Sequence, residues 1–350
     1  MALAALACAG AAQAQDDVIL EDGVFMEDTG MDPIFSTPST MPPVPEGEGD
    51  YQRPVLIPND YYFEYFGNMH IHGQAAHVRL MSAFATIPLF NPRKHAWHGW
   101  HLDCKVSGRL TWMHNSGRKV LDEQRLYTLG LSATVLRQIG QKSQFHLGFT
   151  PQMSSDFDVM SHEMFYWGGN VGFSSTLGDK FKFTLGVSVM PDYNDMWVYP
   201  LVNFQWKVSP HWELQLQAER LSYQHLSGSE RFRIGPFLQY NRAVWTVNRH
   251  RTTTQLRMKN WIAGATASYR WNIGGFKLTL LGDVGYSFYN NFRIRTKNGR
   301  HTLDRYRADG ALYARAAVGF EFCRRVHFLV GNCLRKVVYC NAKLIHDRHE

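Results

Sequence analysis

Histidine is the first residue type in this chain that could do chemistry, and there are 16 of them. His95, His98 and His101 stand three apart, and His70 and His72 stand two apart, on one side of an extended strand. Imidazoles at such spacings suit zinc or copper. The first group interleaves with Trp97 and Trp100, which equally describes a membrane-interface turn rich in amphipathic rings. The strand parity argued below puts the two groups near opposite rims. They do not make one site, and no metal is assigned.

Ser154, Ser155 and Ser161 precede His162-Glu163 in one short stretch. Serine, histidine and an acid are the parts of an acyl-transfer site. Ser161 and His162 are adjacent, however, and adjacent side chains of an extended chain point apart. No G-x-S-x-G elbow is present, and neither is a phosphate-cradling loop, a dinucleotide fingerprint or a Cys-x-x-Cys pair. The sequence expects no catalysis, no cofactor and no nucleic-acid partner.

Charge is the remaining chemical feature. The chain holds 37 Lys and Arg against 30 Asp and Glu. Ten of the acidic residues lie between Asp16 and Asp50, a stretch with no Lys or Arg, so the remainder is strongly basic. By alternation along the strands described next, Lys105, Arg109, Lys180, Lys182, Arg233, Arg270, Lys277 and Arg315 are candidates to point into a lumen, where rings of cations favour anions. Ion pairs with Asp103, Glu213 and Glu219 are the competing reading of the same residues. The basic run Arg293–Arg307 is expected in an outer loop, where lipopolysaccharide phosphate would be its partner.

The elements that must carry these residues alternate with period two. In 181–189, Phe181, Phe183, Leu185, Val187 and Val189 fall on one face, and Lys182, Thr184, Gly186 and Ser188 on the other. Trp212, Leu214 and Leu216 oppose Glu213, Gln215 and Gln217 in the same way. Leu102, Val106, Leu110 and Trp112 oppose Asp103, Lys105, Ser107, Arg109 and Thr111. Such segments lack the three-and-four spacing of a helix, and no stretch is apolar enough for a transmembrane helix. A tilted strand crossing a bilayer needs about 9–11 residues, which these segments supply. Trp and Tyr gather at their ends, Tyr166, Trp167, Tyr199, Trp245, Trp271, Tyr286 and Tyr289 among them, as in interfacial girdles.

Short turns at 139–141, 178–179, 209–210, 227–229 and 272–275 alternate with longer connections near 114–123, 152–163, 191–196, 246–256 and 291–307. With all short turns on one side, the count is about 14 antiparallel strands (about 12 as the alternative) in an up-and-down transmembrane barrel, both chain ends being periplasmic. Residues 1–14 read as a signal peptide ending in Ala12-Gln13-Ala14. Residues 15–58 read as an acidic, Pro-rich disordered segment. The barrel spans 59–322 and closes on the alternating strand that ends at Phe322. A basic, Cys-containing extension covers 323–350.

The run from Val171 to Gly235, with FHLGFTPQMSSDF before it and IPLF in an early strand, resembles a family of uncharacterised bacterial outer-membrane barrels known only as a domain of unknown function. The resemblance spans roughly residues 60–322 and is most specific from Pro191 through Gly235. It implies an outer-membrane barrel and brings no substrate and no site residues. The function expected is a porin-like channel for small solutes with a weak anion preference. The alternatives are a closed structural or lipopolysaccharide-interacting barrel and, behind it, a lipid hydrolase.

Overall fold

The computed structural model describes residues 61–89, 100–117, 124–139, 142–158, 161–192, 195–217, 219–249, 252–273, 276–296 and 301–322. The expected signal peptide, acidic segment and C-terminal extension lie outside the described residues, as do His95 and His98.

The strands are β1 (Tyr61–His70), β2 (Ala76–Pro88), β3 (Trp100–Gly117), β4 (Gln124–Gln138), β5 (Ser143–Ser155), β6 (Phe165–Leu177), β7 (Phe181–Asp192), β8 (Asp195–Ser209), β9 (Trp212–Gln217), β10 (Arg220–Leu226), β11 (Phe232–Arg249), β12 (Thr252–Ile273), β13 (Phe276–Thr296), β14 (Thr302–Ala308) and β15 (Ala311–Phe322). Each strand from β1 to β13 pairs with its chain neighbour, β13 also pairs with β15, and β15 returns to β1. The result is a closed antiparallel barrel of 14 strands. β14 is additional and pairs only with β13. The terminal strand ends at Phe322 opposite Phe276.

Register explains the inside and the outside. Phe173 pairs with Leu185, and Leu185 with Val202; all three are exposed on the outer surface. One position along, Ser174 pairs with Thr184, and Thr184 with Asn203, all buried on the inner side. The hydroxyls of Ser174 and Thr184 are hydrogen-bonded at 2.8 Å. This order is the reverse of a water-soluble barrel. Phe63, Leu147, Phe149, Val198, Val284 and Leu312 all stand exposed, a far larger apolar surface than water tolerates on a monomer.

The expected short turns lie on one side. Gly178 takes φ +59° in the β6–β7 turn, a conformation that costs glycine little. On the other side the strands run further than expected. Residues 246–256 and 291–307 are mostly the ends of β11, β12, β13 and β14 rather than free loops. The apolar and polar alternation continues through these ends, Leu256 and Met258 against Arg257 and Lys259, and so does the pairing.

Those extensions change the barrel's shape. Between Lys259 and Trp261 the pairing of β12 with β13 slips, and Tyr289 on β13 adopts φ +56°. A bulge of this kind bends its strand and raises its twist. Beyond it, β11 leaves its wall position and pairs in parallel with β5 at Thr246 and Ser155. β9 and β10 are only 6 and 7 residues long and reach Gln239 of β11 and no further. The upper part of the molecule is therefore a narrower ring of β1–β5 and β11–β14. It closes through an Ile71–Ala308 bridge and the backbone bonds His72 N to Arg307 O and Asp309 N to His70 O, both near 2.9 Å.

The apolar core lies inside this ring. Phe66, Val78, Leu80, Met113 and Leu126 of β1–β4 pack in one cluster with Trp245, Leu256, Met258, Phe292 and Ile294 of β11–β13. Trp245, expected in the interfacial girdle, is 2% exposed and belongs to this core. The bend accounts for the difference, because it turns the inner face of β11 onto the facing wall. Trp167, Trp271, Tyr286 and Tyr289 do stand exposed on the outside, whereas Tyr166 and Tyr199, expected beside them, are buried.

Candidate functional site: the charged lumen

Below the apolar core the lumen is crossed by ion pairs. Arg109 of β3 donates to Glu64 of β1, with Ser82 3.3 Å from its guanidinium. In register, Glu64 sits opposite Arg315 of β15, and Arg315 opposite Asp283 of β13. Arg315 lies over the Tyr62 ring at 4.3 Å. Asp283 takes two hydrogen bonds from Arg220 of β10, at 2.7 and 2.9 Å. Arg220 also reaches Gln239 at 3.1 Å and covers the Phe237 ring at 4.0 Å. Further round, Arg233 donates to Glu213 at 2.8 Å, and Gln205 donates to the same carboxylate at 2.7 Å. Charges in this environment persist because each cation faces a carboxylate and hydrogen bonds fill the remaining positions.

Each expected inward cation therefore has a definite place. Arg109, Arg233 and Arg315 are buried within this paired belt. Lys105 is half-buried and pairs with Asp103 at 3.0 Å. Lys182, Arg270 and Lys277 are half-buried toward the short-turn end. Lys180 lies in the β6–β7 turn and is exposed at the rim, because its strand begins only at Phe181. The belt alternates in sign, unlike a ring of cations.

The wall of β5–β8 differs from the rest of the interior. Its inward residues include Gln144, His146, Thr150, Gln152, Asn170, Ser174, Thr184, Ser188, Asn203 and Gln205, which are small or polar, with Lys182 on the same face toward the short-turn end. Glycines let these side chains lie flat along the wall. A Cβ on Gly172 would sit 2.5 Å from the His146 ring, one on Gly168 2.7 Å from Thr150 Oγ1, and one on Gly148 2.8 Å from Asn170 Oδ1. Both ring nitrogens of His146, Gln152 Oε1 and Asn170 Oδ1 are buried without a protein hydrogen-bond partner. Such groups call for water or a polar solute beside them.

Sequence reasoning missed a second group of cations. Above the bulge, Arg242 pairs across strands with Lys259, and Arg257 with Arg293, while Arg295 stands opposite Gln255. The five share the face opposite to Trp245, Leu256 and Met258. This face looks across to β6, since Thr246 on it meets the Tyr166 hydroxyl at 3.2 Å and donates to Glu163 O at 2.9 Å. The run was taken for loop because its cations interrupt the apolar pattern. Its alternation was the signal that could have found it.

The serine and histidine stretch does not form a nucleophilic site. Ser161 caps the 3-10 turn His162–Met164, and its hydroxyl bonds the Glu163 carboxylate. His162 Nε2 lies 3.3 Å from the other oxygen of that carboxylate. The acid stands between serine and imidazole, whereas activation needs the imidazole in the middle. Ser154 donates to Val244 O at 2.8 Å. His72 pairs with Asp309 at 2.5 Å, and no metal-holding group of three occurs among the described residues.

No curated protein matches the chain. Among solved structures, the crystal structure of the Pseudomonas putida toluene transporter TodX is similar over 75% of this chain and 90% of that one, with 10% identity and a TM-score of 0.29. A likeness this loose carries no argument about function. The family model of a domain of unknown function, DUF6268, matches residues 59–322, the span of the barrel itself, and the chain belongs to that family.

Proposed function

We propose that the protein is an outer-membrane barrel that passes water and small polar solutes, with a weak preference for anions, along the β5–β8 side of its lumen. The observation that carries this reading is the glycine-floored polar wall, whose buried His146, Gln152 and Asn170 atoms lack protein partners. An apolar exterior above a polar interior is the arrangement a bilayer demands of a strand-built span, and export by the N-terminal signal expected at residues 1–14 would deliver it there. The anion preference is weak because the cations of the belt, Arg109, Arg220 and Arg233, are matched by carboxylates. No chemistry step is required of any residue.

A second reading is favoured by a different observation. Arg109, Glu64, Arg220 and Asp283 fill the lumen as side chains rather than lining a pore, which suits a closed structural barrel. In that case the exposed Arg305 and Arg307 of β14 would hold lipopolysaccharide phosphate on the outer side. Single-channel recording of the refolded chain in planar bilayers separates the two. Steady openings with a reversal potential toward the anion side support passage. A folded barrel that stays silent rejects it in favour of the closed reading.

A further inference from the structure

Two neighbouring rows of the inner wall hold glycine where an inward side chain would stand. Gly148 of β5 lies between Thr134 of β4 and Asn170 of β6. Gly172 of β6 lies between His146 of β5 and Gly186 of β7. The rows are about 7 Å apart along the strands, and Thr134 and Asn170 are about 10 Å apart across them. Glycine inside a strand weakens it and marks a place where a ligand can come close to the backbone.

The polar atoms around this notch are ones the protein leaves without a hydrogen bond. They are Ser132 Oγ, Thr134 Oγ1, both ring nitrogens of His146, Gln152 Oε1 and Asn170 Oδ1. Ser132, Thr134, His146 and Asn170 are all buried. Such a group has lost its water and gained nothing in return, so a cluster of them calls for a bound species. The two hydroxyls and a neutral imidazole each donate and accept, while the amide oxygens only accept. A solute hydroxyl answers all of them, because it too donates and accepts. At the level of His146 the wall also turns apolar. Leu136 stands opposite His146, Leu201 stands opposite Gly186, and both are buried. They suit the carbon face of a hydroxylated molecule, which water does not have.

Charge is kept away from the notch. Lys182 is four residues from Gly186, about 13 Å along β7. The belt cations Arg109, Arg220 and Arg233 are held by carboxylates, and Arg242, Arg257, Lys259, Arg293 and Arg295 have interactions of their own.

We propose that this notch is a binding site for a neutral polyhydroxylated solute of sugar or sugar-alcohol size. Thr134, His146 and Asn170 take its hydroxyls, and Leu136 and Leu201 its carbon face. Entry is by the passage proposed above, on which this assignment rests, so binding and uptake are read separately.

Uptake is followed by swelling of vesicles that hold the refolded full chain, with mannitol as the hydroxyl-rich probe and tetraethylene glycol as an ether of similar size. Binding of mannitol is followed by titration calorimetry in detergent, and folding by heat-modifiable migration. Mannitol uptake should saturate with concentration and, when dilute, exceed uptake of the ether severalfold. His146→Phe and Asn170→Leu should each weaken mannitol binding roughly tenfold, the worth of one or two hydrogen bonds, and remove saturation. His146→Gln, which restores a donor and an acceptor, should recover most of the loss. If neither His146→Phe nor Asn170→Leu folds, Thr134→Val, which deletes one hydroxyl at constant shape, decides by a severalfold loss. The site is overturned, with passage intact, if both probes enter alike without saturation and the native protein binds no mannitol; the unpartnered atoms then hold water only. It is also overturned if the variants that fold bind as the native chain does. If neither probe enters a folded barrel, passage fails and calorimetry decides the site. Binding that His146→Phe or Thr134→Val weakens upholds it, and no binding overturns it.

Discussion

Arg220 and Asp283, 63 residues apart in sequence, meet inside the barrel through two parallel hydrogen bonds of 2.7 and 2.9 Å. Both side chains are shielded from water, at 5% and 0% exposure. A buried pair of this geometry fixes β10 against β13 across the lumen. It is costly to break from one side, because the surviving charge keeps its desolvation penalty and loses its partner. Arg220→Met should therefore destabilise the folded barrel by about 3–5 kcal/mol, while Arg220→Met/Asp283→Leu recovers most of the loss. Denaturant titration in phospholipid vesicles checks both, and a double change as damaging as the single one would contradict the assignment.

The glycine floor makes a steric prediction. In Gly172→Ala the new methyl meets the His146 ring at 2.5 Å, so the ring must leave the wall. Overpacking of this kind costs roughly 1–3 kcal/mol. His146→Ala in the same chain should remove most of that cost, giving a clear coupling in a double-mutant cycle. Equal, additive losses would show that the two positions do not touch.

Tryptophans on the two sides of the wall should behave differently. Trp245 is enclosed by Leu256, Phe292 and their neighbours, and Trp245→Ala should cost about 3–5 kcal/mol through the cavity it leaves. Trp271 is 38% exposed near the β12–β13 turn, and Trp271→Ala should cost well under half as much. Unfolding free energies of the two variants in the same lipid check the ranking.

If the barrel passes ions as proposed, selectivity follows pairing rather than the number of cations. Removing Glu64 and Arg109 together deletes one charge of each sign, so Glu64→Gln/Arg109→Gln should leave the reversal potential in a salt gradient unchanged. Lys182 is half-buried beside Lys207, within reach of Glu213. Lys182→Gln removes net positive charge and should shift the reversal potential toward cations. A larger shift from the Glu64 and Arg109 pair would mean that their charges act separately.

Much of this molecule is legible as alternation. Phe173, Leu185 and Val202 against Ser174, Thr184 and Asn203 already separate the outer surface from the lumen before any pairing is known. The short turns fix parity, which is why the 14-strand count and the closing strand at Phe322 could be read. Arg109 and Arg233 could be placed indoors for the same reason. Their partners could not be, because pairing across a lumen depends on stagger and closure. Trp245 and Lys259 show the other limit. A bulge at Tyr289 redirects three strands and reverses what their inner and outer faces meet, and one residue of extra backbone leaves almost no mark in composition.

The pairing of Thr246 with Ser155 also bears on how the chain assembles. With β5 joined to β11 at the top, strands β6–β10 form a side loop of the upper circuit rather than part of it. The narrow ring reaches closure by bringing together segments 90 residues apart, as Ser154 and Val244 do, however long the intervening hairpins are. Strand length within that side loop is therefore not fixed by closure of the upper ring, and the β9–β10 hairpin, at 6 and 7 residues, is where the wall is lowest.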